Sequence, residues 1–161
     1  MKASMTVKAA LSLMLPLILG AVAGAITGPA IDGWYVHLTK PSFSPPNWIF
    51  GPVWTLLYLL MGYSLFRIWR LPATDMRKRA LLVFALQLAL NIAWSFLFFG
   101  LRNPALALVE ILVLWVVVAY MLHFFYRLDP LATWINIPYI GWLSFAVVLN
   151  AAYAWLNAWG A

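Results

Sequence analysis

The stretch WYVHLTKPSFSPPNWIFGPVWTLLY, from Trp34 to Tyr58, packs three tryptophans, four tyrosine or phenylalanine rings and four prolines into twenty-five residues. Its first half cannot be a regular helix, because Pro41, Pro45 and Pro46 lack the amide hydrogen that a helix needs and their rings crowd the preceding turn. Its second half runs into an apolar segment. What such a segment does depends on the rest of the chain, which is 66% hydrophobic and only 9% charged. A soluble domain carries about 25% charged residues. Too few charges are present to cover a water-facing surface, and apolar stretches of roughly 20 residues are long enough to cross a bilayer.

Five such stretches are present, at approximately 9–29, 48–69, 80–100, 104–126 and 133–156. They predict an all-α integral membrane protein, one five-helix domain over 1–161, with the long first loop at 30–47 as its only extended connection. Lys2 and Lys8 before the first apolar run, and Ala23-Gly24-Ala25 after it, resemble a secretion signal. The run is longer than such signals, so a retained helix is expected. Gly20, Gly24 and Gly28, four residues apart, suggest a close helix contact. Pro29 is expected to help end that helix. A rival small face exists at Ala85, Ala89 and Ala93; a dimer contact is expected through helix three, alone or with helix one.

The net charge is +6. Basic residues in a membrane protein usually set its orientation, so no nucleic-acid role is inferred. Eight basic residues fall on one side (Lys2, Lys8, Arg67, Arg70, Arg77, Lys78, Arg79 and Arg127) and two, Lys40 and Arg102, on the other. The bias predicts a cytoplasmic N-terminus in a bacterial cell membrane and a C-terminus outside. A periplasm-dependent reporter fused after Ala161 should be active; a silent one would overturn the orientation.

Helical phase gathers the polar residues. Gln87, Asn91, Trp94 and Phe98 share one face of helix three. Trp142, Ala146, Asn150, Tyr153 and Asn157 share one of helix five, and Trp54, Tyr58 and Gly62 one of helix two. Amides are costly in hydrocarbon without partners, so these faces should turn inward. Two readings of them stay open: a pocket for a flat, partly polar ligand, or hydrogen bonds between helices. Glu110 is expected to pair with Arg102 or to reach the membrane edge. His37 and His123 are isolated, and the chain has no cysteine, so no metal site is inferred. Trp69, Trp134 and Trp159 suit an aromatic belt at the helix ends. Trp54, Trp94, Trp115 and Trp142 lie too deep for that. No GxSxG, Walker loop, HExxH or carboxylate pair is present, which argues against a hydrolase, an ATPase or a metalloenzyme.

Four blocks, WYVHLTKPSFSPP (34–46), GPVWTLLYLLMG (51–62), QLALNIAWSFLFFG (87–100) and PYIGWLSFAVVLN (138–150), resemble the TspO/MBR family of tryptophan-rich sensory proteins and translocator proteins. The resemblance spans about 30–157. It implies a five-helix bundle, commonly a homodimer, with a pocket lidded by the first loop. It implies no required cofactor. The implied ligands are porphyrins such as protoporphyrin IX and hydrophobic drugs such as isoquinoline carboxamides and benzodiazepines. Implied ligand contacts are Trp34, Phe43, Trp48, Trp54, Tyr58, Gln87, Asn91, Trp94, Phe98, Trp142, Ala146 and Asn150. Some members are reported to degrade protoporphyrin IX in light with tryptophans that align with Trp54 and Trp142. Sensing, photo-oxidative catalysis and porphyrin, lipid or sterol transport are therefore the open functions. Phe43 stands where the family often has tryptophan. The sterol-binding pattern is missing after Tyr153, although Leu60, Tyr63 and Arg67 fit it.

Overall fold

The computed structural model describes residues 4–158; the belt position expected for Trp159 lies outside them. Helix α1 is Met5–Asp32, and a single 3-10 turn follows at Tyr35–His37. Next come α2 (Asn47–Trp69), α3 (Asp75–Ser95), α4 (Pro104–Leu128), α5 (Pro130–Ile135) and α6 (Ile137–Leu156). Five membrane-length spans result, since α3 continues as a π-helical turn at Phe96–Gly100 and α5 and α6 together form the last. The mean hydropathy of the spans is 1.4 to 2.6.

The helix ends have local causes. The Thr74 hydroxyl accepts from the Arg77 N–H at 3.2 Å and starts α3, five residues before the apolar run. The Asn103 side chain accepts from Leu106 at 2.9 Å and Pro104 opens α4, where its missing N–H has no partner to lose. Two boundaries differ from expectation. Helix α1 runs through Pro29 to Asp32, because one lost hydrogen bond near a helix end does not stop the last turn. The fifth span breaks at Asn136. There Pro138 cannot donate to the turn before it, and the Asn136 side chain caps the Ala132 carbonyl instead, at 2.8 Å.

Helix α1 packs on α2, α3 on α4, and α4 on α6. The tight core lies at the end of the bundle away from the long loop. Met61, Ile68, Ala80, Val118, Met121 and Phe125 are wholly buried there. Phe84 and Phe125 stack at 6.2 Å. At the same end Arg67 donates to both carboxylate oxygens of Asp129, at 2.8 and 3.1 Å, tying α2 to the α4–α5 corner.

Partial burial alone would raise the Asp129 carboxyl. The Arg67 hydrogen bonds and charge, with the N–H groups of Ala132 and Leu131, outweigh it and hold the carboxyl below its usual range. A lowered folded value means that the pair's contribution is whole above about pH 4 and fades as acid protonates the carboxylate. Asp129→Asn is therefore expected to lower thermal stability by about 1–3 kcal/mol at pH 7. Its deficit against the parent should shrink below about pH 4. A deficit that stays constant in a melting series down to pH 3 would show that the ion pair is not its cause.

Candidate functional site

At the loop end the helices separate and enclose a cavity of about 560 Å³. That lies inside the usual range for small-molecule sites, about 300–1,000 Å³. Helices α1, α2, α3 and α6 wall it, and Tyr35 of the long loop closes it above. The lining is mostly apolar and aromatic. Trp54 of α2 lies against Tyr58 at 5.5 Å, and Trp142 of α6 meets Phe50 edge-on at 5.8 Å. Trp94 stacks on Phe98 at 5.2 Å. The π turn that ends α3 places both Phe98 and Phe99 on the wall. Such turns insert one extra residue and re-aim the side chains beside it.

Nine of the twelve candidate contacts line this cavity: Trp48, Trp54, Tyr58, Asn91, Trp94, Phe98, Trp142, Ala146 and Asn150. The other three surround it. Trp34 packs edge-on against Phe98 at 5.9 Å. Phe43 is 49% exposed and touches Phe145 at 6.4 Å. Gln87 is fully buried below the cavity and accepts from the Tyr139 hydroxyl at 2.9 Å. Of the four deep tryptophans, Trp115 stands apart. Its indole donates to Ser144 at 2.8 Å, joining α4 to α6 away from the cavity.

Two of the inward amides, Asn91 of α3 and Asn150 of α6, line the cavity and also join helices. Tyr58 donates to the Asn91 oxygen, and the Asn91 amide donates to the Tyr139 hydroxyl at 3.2 Å. Trp94 donates to Asn150 at 2.9 Å, and Asn150 donates to the Pro104 carbonyl at 2.8 Å. The indole N–H groups of Trp54 and Trp142 have no such partner among the described residues.

The glycines of α1 correct an expectation. Gly20 does press on α2, where a Cβ would meet the Tyr58 ring, but a Cβ at Gly24 or Gly28 would meet nothing within 4 Å, and both line the cavity. The rest of the close α1–α2 contact is made by Gly62, where a Cβ would lie 2.8 Å from the Ser12 carbonyl oxygen and 2.9 Å from the Leu13 Cα. Four-residue spacing of small residues signals a bare helix face, and a bare face serves a void as well as a neighbour. Helix α1 is thereby a cavity wall. The expected Glu110–Arg102 pair is absent among the described residues. Glu110 sits about 9 Å of helix rise beyond Pro104, out of reach of the exposed turn. Both its oxygens are buried without a hydrogen-bond partner.

The long loop is fastened to α6. The Tyr35 and Tyr153 hydroxyls are 2.6 Å apart, and Ser44 reaches Tyr153 at 3.0 Å. Asn157 accepts from the Thr39 N–H at 2.9 Å and donates to the Thr39 carbonyl at 3.1 Å. Burial, with the Tyr153 hydrogen bond, pushes the Tyr35 phenol above its ordinary range, so this latch stays neutral at any physiological pH. Helical phase singled out Tyr153 and Asn157. Tyr35 was visible only as one ring among many in the loop.

The sequence pattern of the TspO/MBR family matches residues 12–156. The tryptophan-rich protein TspO of Archaeoglobus fulgidus is 41% identical, over 91% of this chain and 95% of that protein. The tryptophan-rich sensory protein of Cereibacter sphaeroides is 38% identical, over 85% and 84%. The human translocator protein is 40% identical, over 73% and 70%. With five membrane-length helices and a tryptophan-lined cavity among four of them, these likenesses make the chain an integral, multi-pass membrane protein that belongs to the TspO/MBR family.

Proposed function

We propose that the protein is a membrane receptor for tetrapyrroles of the protoporphyrin IX type, with a sensory or stress-regulatory role. The observation that carries the reading is the cavity itself. Indoles of α2, α3 and α6 supply flat, rigid contact area around a space of about 560 Å³. The sensory role follows the name of the Cereibacter relative. A homodimer through α3 suits the exposed Ala85 and Ala89, flanked by exposed Leu82 and Leu86.

A second reading is light-dependent porphyrin degradation with dioxygen as oxidant. It is favoured by the placement of Trp54 and Trp142 on one cavity, each with an unengaged indole N–H. One experiment separates the two. Protoporphyrin IX absorbance is followed with purified protein in darkness, then under light, for the parent, Trp54→Phe, Trp142→Phe and the double variant. An aromatic stack contributes roughly 0.5–1.5 kcal/mol beyond burial. Phenylalanine keeps a ring, so dark binding should weaken less than about tenfold in each single variant. Bleaching that needs the indoles should fall much further, since phenylalanine is far harder to oxidise. Bleaching that survives in the double variant removes the catalytic role from these residues. Absence of any dark spectral shift with the parent removes the receptor reading.

A further inference from the structure

The cavity is bounded by the loop on one side and by the seam between α1 and α2 on another, and the two are built differently. The loop side is fastened by the hydrogen bonds of Tyr35, Ser44 and Thr39 to Tyr153 and Asn157. The seam is tight at its lower end. Gly62 presses on Ser12 and Leu13, Gly20 lies against the Tyr58 ring, and the Lys8 ammonium reaches the Trp69 carbonyl at 3.5 Å. Above Gly20 the two helices part. On α1, Gly24 and Gly28 carry no side chain into the gap; on α2, Gly51 carries none. All three are exposed and all three line the cavity. Below them the outer faces carry exposed Ile18, Val22, Leu56 and Leu59, a surface suited to lipid. The gap is therefore a slot at membrane depth, with backbone for lips.

We infer that the ligand enters and leaves the cavity sideways from the bilayer, through the slot edged by Gly24, Gly28 and Gly51, while the loop stays fastened. The inference rests on the reading of the cavity as a tetrapyrrole site and adds its route. A flat amphiphile that partitions into lipid reaches such a slot along its own plane. Two backbones without side chains give it clearance, and no hydrogen bond has to break. Opening the loop side would break the buried Tyr35–Tyr153 bond and the half-buried Ser44–Tyr153 bond, together with the two exposed bonds between Thr39 and Asn157, each a net cost of about 0.5–1.5 kcal/mol.

The slot has a kinetic signature. A side chain placed in a route slows entry and exit together and leaves the equilibrium affinity nearly unchanged. A side chain placed against a bound ligand speeds release instead. The test uses the full chain in lipid nanodiscs, with protoporphyrin IX supplied in vesicles and its absorbance followed in darkness. Gly24→Leu and Gly51→Leu are compared with the parent; the second variant covers the case in which the first does not fold. The parent has no cysteine, so Thr39→Cys/Asn157→Cys introduces the only two thiols, and its oxidised and reduced forms compare a locked loop with a free one.

Association and release should each slow about tenfold or more in the leucine variants. The locked form should bind at the rate of its reduced form. A locked form that takes up ligand only after reduction overturns the inference, whatever the glycine variants do. Leucine variants that associate at the parent rate also overturn it. A parent that shows no uptake fails the tetrapyrrole reading itself, an outcome distinct from either.

Discussion

Gly62→Leu is expected to destabilise the bundle severely, and the same change at Gly24 to leave its stability almost untouched. At Gly62 a new Cβ would sit 2.8 Å from a backbone oxygen of α1 and 2.9 Å from a backbone carbon. Backbone cannot rotate out of the way as a side chain can, so the two helices must separate. Overpacking of this kind costs about 3 kcal/mol, and separation also loses the α1–α2 contacts beyond it. At Gly24 the added side chain meets open space. Its effect should be within about 0.5 kcal/mol, as for an ordinary surface change. Thermal melting in detergent with size-exclusion chromatography reads both. A Gly62→Leu variant that melts with the parent, or a Gly24→Leu variant that aggregates, would show that the tight and open parts of the seam have been exchanged.

That pair of glycines shows where the sequence was legible. The five spans were, because bilayer-length apolar runs admit few other structures. The inward faces of α2, α3 and α6 were, because an amide in hydrocarbon must find a partner. Helix one carried the same kind of signal, small residues at helical spacing, and it pointed the other way. A small residue says that nothing occupies a place; only the neighbouring helix says whether that place holds backbone or void. Gly62 stood on a face already noted for Trp54 and Tyr58, and nothing local marked it as the real contact. The break at Asn136 was hidden because the chain remains apolar through it. Glu110 was assigned a partner by closeness in sequence to Arg102. Helix rise carried the two apart.

The amides below the cavity offer the sharper test of what the site residues do. Four groups form a buried chain. Tyr58 donates to Asn91, Asn91 to Tyr139, Tyr139 to Gln87, and the Gln87 amide lies 4.0 Å from the Met61 sulfur. Gln87→Leu removes the acceptor for Tyr139. A half-turn of the Asn91 amide does not repair the chain, because Tyr139 then gains an acceptor only as the Tyr58 hydroxyl loses its own. Asn91→Leu breaks the chain in its middle. It leaves the Tyr58 hydroxyl buried without its acceptor, at about 1–3 kcal/mol. Each variant should therefore lose about 1–3 kcal/mol of stability, the cost of one orphaned buried hydroxyl. Affinity for protoporphyrin IX should change less than about threefold in both, even though Asn91 lines the cavity. The reason is that the Asn91 oxygen and amide already serve Tyr58 and Tyr139, and the Tyr58 ring stays wedged between Gly20 and Trp54. Melting curves and dark absorbance titrations on the same preparations decide it. A folded Asn91→Leu variant that binds more than about tenfold more weakly would return the amide to the ligand and leave the interhelical bonds as its scaffold.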